Sequence, residues 1–419
     1  MAEHTSPKGK QNKKDRSGFD RVFTGIMLHT VVPVLKAKYG VKRTEHVKTD
    51  GEPFIVLFNH TTDLDMAWIM DAFGRQIYCL GSEHIARFPL AGALLKTFFA
   101  PILIKKGSNG MAAVMEMSRY LRSGRSIIMS PEGVRSGNGR TCELVPSTAA
   151  VLKKLRCNVI TVRIHGGYLT TPRWGKGVRK GEITVEKIAE YSKETIAAMD
   201  ADTFQMKIAE DLYEDAYAYN EVKKIRYRGK NKAEGIETQL YLCPSCRRLA
   251  TMKSAGDTFF CDCGLKGRVD EYGLLSGEGF TFRTVAEWDD WQEETLAGII
   301  REIKTAGIAG SGNGVSTDSG VGSDATDRII VSSPALSLKE ISSKHKETVL
   351  ANGDLSITSH SISVGEKTVE FTDLSGVSII SYGILLLSTK DKHYYEISRK
   401  NTRYPGILYL KLISGLKED

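Results

Sequence analysis

The sequence predicts an α/β chain built on a mostly parallel sheet, followed by a four-cysteine ribbon and a small C-terminal β-rich module. Three observations predict it. Between residues 54 and 217 short apolar runs alternate with amphipathic stretches. Four of the seven cysteines are gathered from Cys243 to Cys263. Beyond a Gly/Ser/Thr/Asp-rich stretch, strand-like runs recur from residue 329 to 413.

In order, 1–16 is a polar, lysine-bearing segment read as a disordered basic tail. Residues 17–235 form the α/β unit. It opens on an apolar run at 22–35, where Phe19, Val22, Phe23, Ile26, Met27 and Val31 recur at helical spacing. That run is shorter than the roughly 20 residues a span needs, so it is expected to lie in a membrane interface or to pack as a core helix. Strands are expected at 54–58, 102–104, 126–129 and 159–164, helices at 111–121 and 147–155, and one long polar helix at 202–221. A ribbon at 236–280 precedes a helix at 281–304, a flexible linker at 305–327 and a β-rich module at 328–419. In that module turns are expected at Asn352-Gly353 and Gly365-Glu366.

At 419 residues, with 41% hydrophobic and 26% charged side chains, the composition excludes a single small domain, wholesale disorder and a multi-span membrane protein. The 58 Lys and Arg against 50 Asp and Glu leave a net charge of +8, which suits an anionic partner. The odd, clustered cysteines argue against a secreted disulfide framework and for a cytosolic setting.

The first chemically suggestive segment is Asn59-His60-Thr61-Thr62-Asp63-Leu64-Asp65, at the end of an expected strand. A histidine oriented by a carboxylate can take a proton from a hydroxyl, and the carboxyl ends of such strands face the ligand crevice. The same residues could instead form a helix cap beside an incidental histidine. The second is Ser130-Pro131-Glu132-Gly133-Val134-Arg135-Ser136, whose guanidinium could pair with a phosphate. A third strand end carries Lys105 and Lys106. Arg163, Arg173, Lys176, Arg179 and Lys180 make a basic stretch, either a coenzyme or headgroup contact or a solvated loop.

In order and spacing, residues 18–191 resemble the glycerolphosphate acyltransferases of the 1-acyl-glycerol-3-phosphate acyltransferase type. The family's N-H-x4-D block is matched by Asn59, His60 and Asp65, and its P-E-G-T-R-S block by Pro131, Glu132, Gly133, Arg135 and Ser136, with Val134 in the Thr place. Lys106 stands where the family has an arginine, the strand 158–164 lacks the usual prolines, and 144–148 lacks the usual Phe-Lys-x-Gly.

The resemblance implies a glycerolphosphate-acyltransferase-like fold and direct transfer of an acyl chain from acyl-CoA or acyl-carrier protein to a lysophospholipid hydroxyl, with lysophosphatidate as the favoured acceptor. His60 would be the base, Asp65 its orienting partner, Glu132 and Gly133 would shape the site, and Lys106 with Arg135 would hold the acceptor phosphate. It also implies a peripheral place on the cytoplasmic face of a membrane.

Cys243-x2-Cys246 and Cys261-x-Cys263, fourteen residues apart, have the spacing of a four-thiolate structural zinc site, which is favoured here over a redox pair or free core cysteines. The order of the domains is similar to that of a bacterial multidomain variant of the family, and the last module is similar to a pleckstrin-homology-like barrel. Nucleic acid is disfavoured, because few aromatic residues interleave the basic ones around the ribbon. A competing reading is a non-catalytic adaptor, with a degenerate acyltransferase fold docking on membrane or nucleic acid.

Overall fold

Five consecutive apolar residues form β1 (Phe54–Phe58), and all five are buried, as the centre of a sheet covered on both faces requires. The structure, a computed structural model, describes residues 17–42, 46–49, 51–82, 102–104, 110–309, 328–342, 346–380, 384–399 and 404–417. The expected tail at 1–16, Lys106 and residues 310–327 of the expected linker lie outside the described residues.

After β1 come β2 (Tyr78–Ser82), β3 (Ile102–Ile104), β4 (Ile127–Met129), β5 (Asn158–His165) and β6 (Thr184–Tyr191), in a six-stranded sheet of order β3-β2-β4-β1-β5-β6. Every pairing is parallel except β5 with β6. Alternation along β1 sends Phe54, Val56 and Phe58 into one core and Ile55 and Leu57 into the other. β2 and β6 escape the sequence pattern for physical reasons. β2 contains Gly81, and β6 is an edge strand with Glu186, Lys187 and Glu190 along it, so neither shows a clean apolar alternation.

The first core is covered by α1 (Ser17–Tyr39) and α2 (Asp65–Phe73), through Met27, Val32, Trp68 and Ile69. The second is covered by α3 (Gly110–Arg122), α4 (Thr148–Leu155) and α5 (Ala201–Leu212), through Met117, Leu121, Leu152, Phe204 and Ile208. On α1 the inner side carries Asp20, Thr24, Met27 and Val32, while Phe19, Val22, Ile26 and Val34 are more than half exposed. Among the described residues no helix is long and apolar enough to cross a membrane.

The single helix expected at 202–221 is two, α5 and α6 (Ala216–Lys223). Asp215 breaks it by capping α6, its carboxylate accepting from the N–H groups of Tyr217 and Ala218 at 3.0 Å.

The ribbon is a four-stranded antiparallel sheet of β7 (Met252–Ala255), β8 (Thr258–Cys261), β9 (Lys266–Val269) and β10 (Leu275–Glu278). The helix that follows, α7 (Val285–Ala309), runs past the expected boundary at 304. Its first turns pack Val285, Ala286 and Trp288 against the ribbon, and Leu296 packs against the last module.

That last module is a seven-stranded antiparallel sheet with a terminal helix, α8 (Gly406–Lys417), against it. Gly365 turns between two adjacent strands as expected, but Asn352 and Gly353 lie inside the strand Glu347–Ile357. They face a bulge in the neighbouring strand between Ser333 and Leu336, so the glycine answers a register irregularity and not a chain reversal.

Candidate active site

β1 ends at Phe58, and Asn59 latches its end to β5. Its side chain donates to Ile164 O at 3.0 Å and accepts from Ile164 N at 2.7 Å, continuing the ladder with an amide in place of a peptide. The next residue, His60, stands at the carboxyl end of the central strand, where an open α/β sheet presents ligand-binding groups.

Asp65 has no exposed surface and closes the turn that leads into α2. Its carboxylate accepts from Thr61 N at 2.6 Å, Thr62 N at 2.8 Å and Thr62 Oγ1 at 2.7 Å, and from His60 Nδ1 at 2.9 Å. An acceptor-only partner fixes the proton on Nδ1 and leaves Nε2 as the lone-pair nitrogen. Among the described residues no hydrogen bond engages Nε2, and the ring is a quarter exposed. The arrangement can accept a proton from a hydroxyl placed at Nε2.

Glu132 lies behind the histidine. One carboxyl oxygen accepts from His60 N at 2.6 Å and the other from Cys142 N at 2.7 Å. Burial pushes its pKa up to about 7, against the opposing pull of those two N–H groups and of the nearby His60 ring. Gly133 turns the chain at φ 69°, a conformation that a side chain would strain.

Arg135 is 8% exposed. Nη1 donates to Asp63 Oδ1 at 2.9 Å, and Nη2 donates to Thr171 O. The guanidinium is therefore tied to the turn between His60 and Asp65, paired to a carboxylate that is itself 69% exposed. Arg173 adds a second guanidinium there, donating to Arg135 O at 3.3 Å, and burial lowers its pKa. Of the expected site residues the structure brings together His60, Asp65, Glu132, Gly133 and Arg135. Lys106 falls outside the described residues.

The rest of the basic stretch divides. Arg163 is spent on the carbonyls of Glu210 and Asp211 at the end of α5, and Arg179 is buried over the Trp174 ring with Nη2 donating to Lys232 O. These two are internal struts, which corrects their reading as ligand contacts. His165, in the same region, donates to Glu214 at 2.9 Å and Glu186 at 2.9 Å. Burial opposes its protonation, but the two carboxylates prevail and raise its pKa. Sequence spacing offered no signal for Glu214, which lines the same cavity as His60 from the turn between α5 and α6.

The four clustered thiols come together. Sγ of Cys243 is 3.6 Å from that of Cys263, Cys246 is 3.8 Å from Cys261, and all four lie within 4.8 Å of one another. A tetrahedral metal with bonds of about 2.3 Å has sulfur-to-sulfur edges of about 3.8 Å, so the donor set fits a four-thiolate metal site. Arg247, at φ 56°, turns the first knuckle by donating its N–H to Cys243 O at 2.8 Å.

A parallel sheet thus carries a His–Asp pair at its central strand end, with a buried Glu-Gly turn behind it. The Acyltransferase family model matches residues 38–165, within the α/β unit. A 1-acyl-sn-glycerol-3-phosphate acyltransferase from Limnanthes alba is 26% identical over 180 residues, covering 41% of this chain and 61% of the relative's length. The crystal structure of the 1-acyl-sn-glycerophosphate acyltransferase from Thermotoga maritima aligns over 49% of this chain and 88% of its own, at 17% identity and a TM-score of 0.38.

Proposed function

We propose that the protein transfers a fatty acyl chain from an acyl thioester, acyl-CoA or acyl-carrier protein, to the free hydroxyl of a lysophospholipid, with lysophosphatidate as the favoured acceptor. The observation that carries this reading is the 2.9 Å contact between His60 Nδ1 and a fully buried Asp65, which leaves Nε2 available at the strand end. His60 takes the hydroxyl proton as the oxygen attacks the thioester carbonyl; the carbon–sulfur bond breaks and the proton passes to the leaving thiolate. Base assistance of this kind contributes about 10² to 10⁴ in rate.

Arg135, with Lys106, holds the acceptor phosphate. The exposed Asp63 marks the anion position on Arg135 that the phosphate would take over. The outward face of α1, with Phe19, Val22, Ile26 and Val34, attaches the protein peripherally to a membrane surface from which both lipids are drawn. Cys243, Cys246, Cys261 and Cys263 hold one zinc ion, which supplies structural cross-linking and takes no part in the transfer.

The test is turnover by the full chain with radiolabelled acyl-CoA and acyl-carrier protein against a panel of lysolipids. Wild type is expected to acylate at least one acceptor and His60→Ala to lose at least a hundredfold in kcat. Equal turnover by both, or none across the panel, would sink the reading.

A further inference from the structure

The turn behind His60 is anchored from two sides. From within the α/β unit, Ser136 N donates to His60 O at 3.1 Å, Ser136 Oγ donates to Arg140 O at 2.6 Å, and Glu132 grips the N–H groups of both His60 and Cys142. Residues 132–142 and the His60 backbone therefore move as one piece.

From outside, α7 reaches the same turn. Asn138 Nδ2 donates to Asp289 Oδ2 at 2.9 Å, bridging 151 positions of sequence. The other oxygen of Asp289 accepts from Gln239 Nε2 at 3.0 Å and Gln292 Nε2 at 2.6 Å. Next to it, Arg140 Nη1 donates to both oxygens of Asp290, at 2.8 and 2.7 Å, and Arg140 Nε to Asp215 at 3.2 Å. Gln239 also crowds Gly137, where a Cβ would stand 2.5 Å from Oε1. On the residue before Asp289, Trp288 Nε1 donates to Leu242 O at 3.0 Å, beside the first cysteine of the ribbon.

Asp289 is 3% exposed, and its partners here are neutral amides from three segments. Burying a carboxylate costs free energy that a hydrophobic side chain of similar size would avoid if packing were all that mattered. What the carboxylate adds is direction: it accepts on both oxygens and so fixes the turn relative to the ribbon. Misplacement by about 1 Å at a catalytic base can cost roughly a hundredfold in rate.

We infer that Asp289 is a positioning residue for the His60 reaction, holding the 132–142 turn, through Asn138, in register with α7 and the ribbon. Its kinetic consequence rests on the acyl-transfer reading; its structural consequence does not. Asp289→Asn keeps the shape and the bonds to both glutamines but sets an amide donor against Asn138 Nδ2. Adding Asn138→Asp restores an acceptor there with the direction of the bond reversed.

The experiment is amide hydrogen exchange and steady-state kinetics on the full chain for wild type, D289N and N138D/D289N. In D289N, exchange at residues 136–142 is expected to rise at least tenfold while β1 stays protected. With acyl-CoA and lysophosphatidate, kcat is expected to fall at least tenfold, with the acceptor KM within threefold. The double variant should regain most of both. Unchanged exchange in D289N, loosening spread equally over β1, or a double variant no better than the single would overturn the inference. If D289N does not fold, a double variant that folds with wild-type protection supports the pairing, and one that also fails overturns it. Absence of turnover in wild type would sink the acyl-transfer reading alone, leaving the exchange measurements to decide the positioning role.

Discussion

Glu132 accepts the backbone N–H of His60 at 2.6 Å, joining two motifs that are 72 positions apart. The contact is between a side chain and a backbone, so the glutamate sets where the histidine's main chain stands while Asp65 sets how its ring turns. Together they fix the proposed base in both position and tautomer.

Asp65→Asn should lower kcat by about 10² to 10⁴. Asparagine keeps the volume, but it has one acceptor oxygen to divide among the Thr61 and Thr62 N–H groups, the Thr62 hydroxyl and His60 Nδ1. Steady-state kinetics on the variant, compared with His60→Ala, checks this, and a loss under threefold would contradict the orienting role.

Stability should fall as pH rises from about 4.5 to about 7. Across that window the folded state keeps a proton on Glu132 that the unfolded chain has lost, so the unfolded state gains. Full development of the effect is worth roughly 3 kcal/mol, at about 1.4 kcal/mol per pH unit. Urea unfolding at pH 5 and pH 7.5 should show the decline in wild type and a flatter response in Glu132→Gln.

Asp63→Ala should lower the KM for lysophosphatidate several-fold and leave that for an uncharged monoacylglycerol unchanged. The exposed Asp63 carboxylate occupies Arg135 Nη1 at 2.9 Å, the position proposed for the acceptor phosphate, and its removal ends that competition. An unchanged KM ratio would argue that Arg135 serves the fold alone.

Elemental analysis should find one zinc per chain, and Cys246→Ser should lose it. The sulfur spacings of 3.6 and 3.8 Å already suit a tetrahedral ion, so little rearrangement would accompany binding. The variant should unfold at lower denaturant, because the ribbon sheet has only short strands around a small core.

Val22→Asp combined with Ile26→Asp should abolish flotation with anionic liposomes and leave the circular dichroism spectrum intact. Both side chains are more than half exposed on α1, so the charges meet water in the free protein and lipid in the bound one. Flotation equal to wild type would remove α1 from the attachment surface.

How much of this could be read from the chain differs by element. β1, β3, α3 and the four-cysteine cluster were legible because each is a local pattern: a run of buried apolar residues, an amphipathic repeat, or a pair of short cysteine spacings. The break at Asp215 is not legible in the sequence because helical periodicity continues across it, and only the capping bonds reveal it. Arg163 and Arg179 looked like ligand contacts because a guanidinium reads the same whether it binds a phosphate or a carbonyl.

The sequence by itself determined the candidate base with its carboxylate, the thiol cluster and the order of the domains, since these depend on residues a few positions apart. Tertiary structure alone decided that Glu132 stands behind His60, that Arg135 is paired to Asp63, and that Asp289 reaches the 132–142 turn from α7. Those contacts span large separations in sequence, and which distant polar group satisfies a buried donor follows from how the sheet, ribbon and helix pack, which no local pattern encodes.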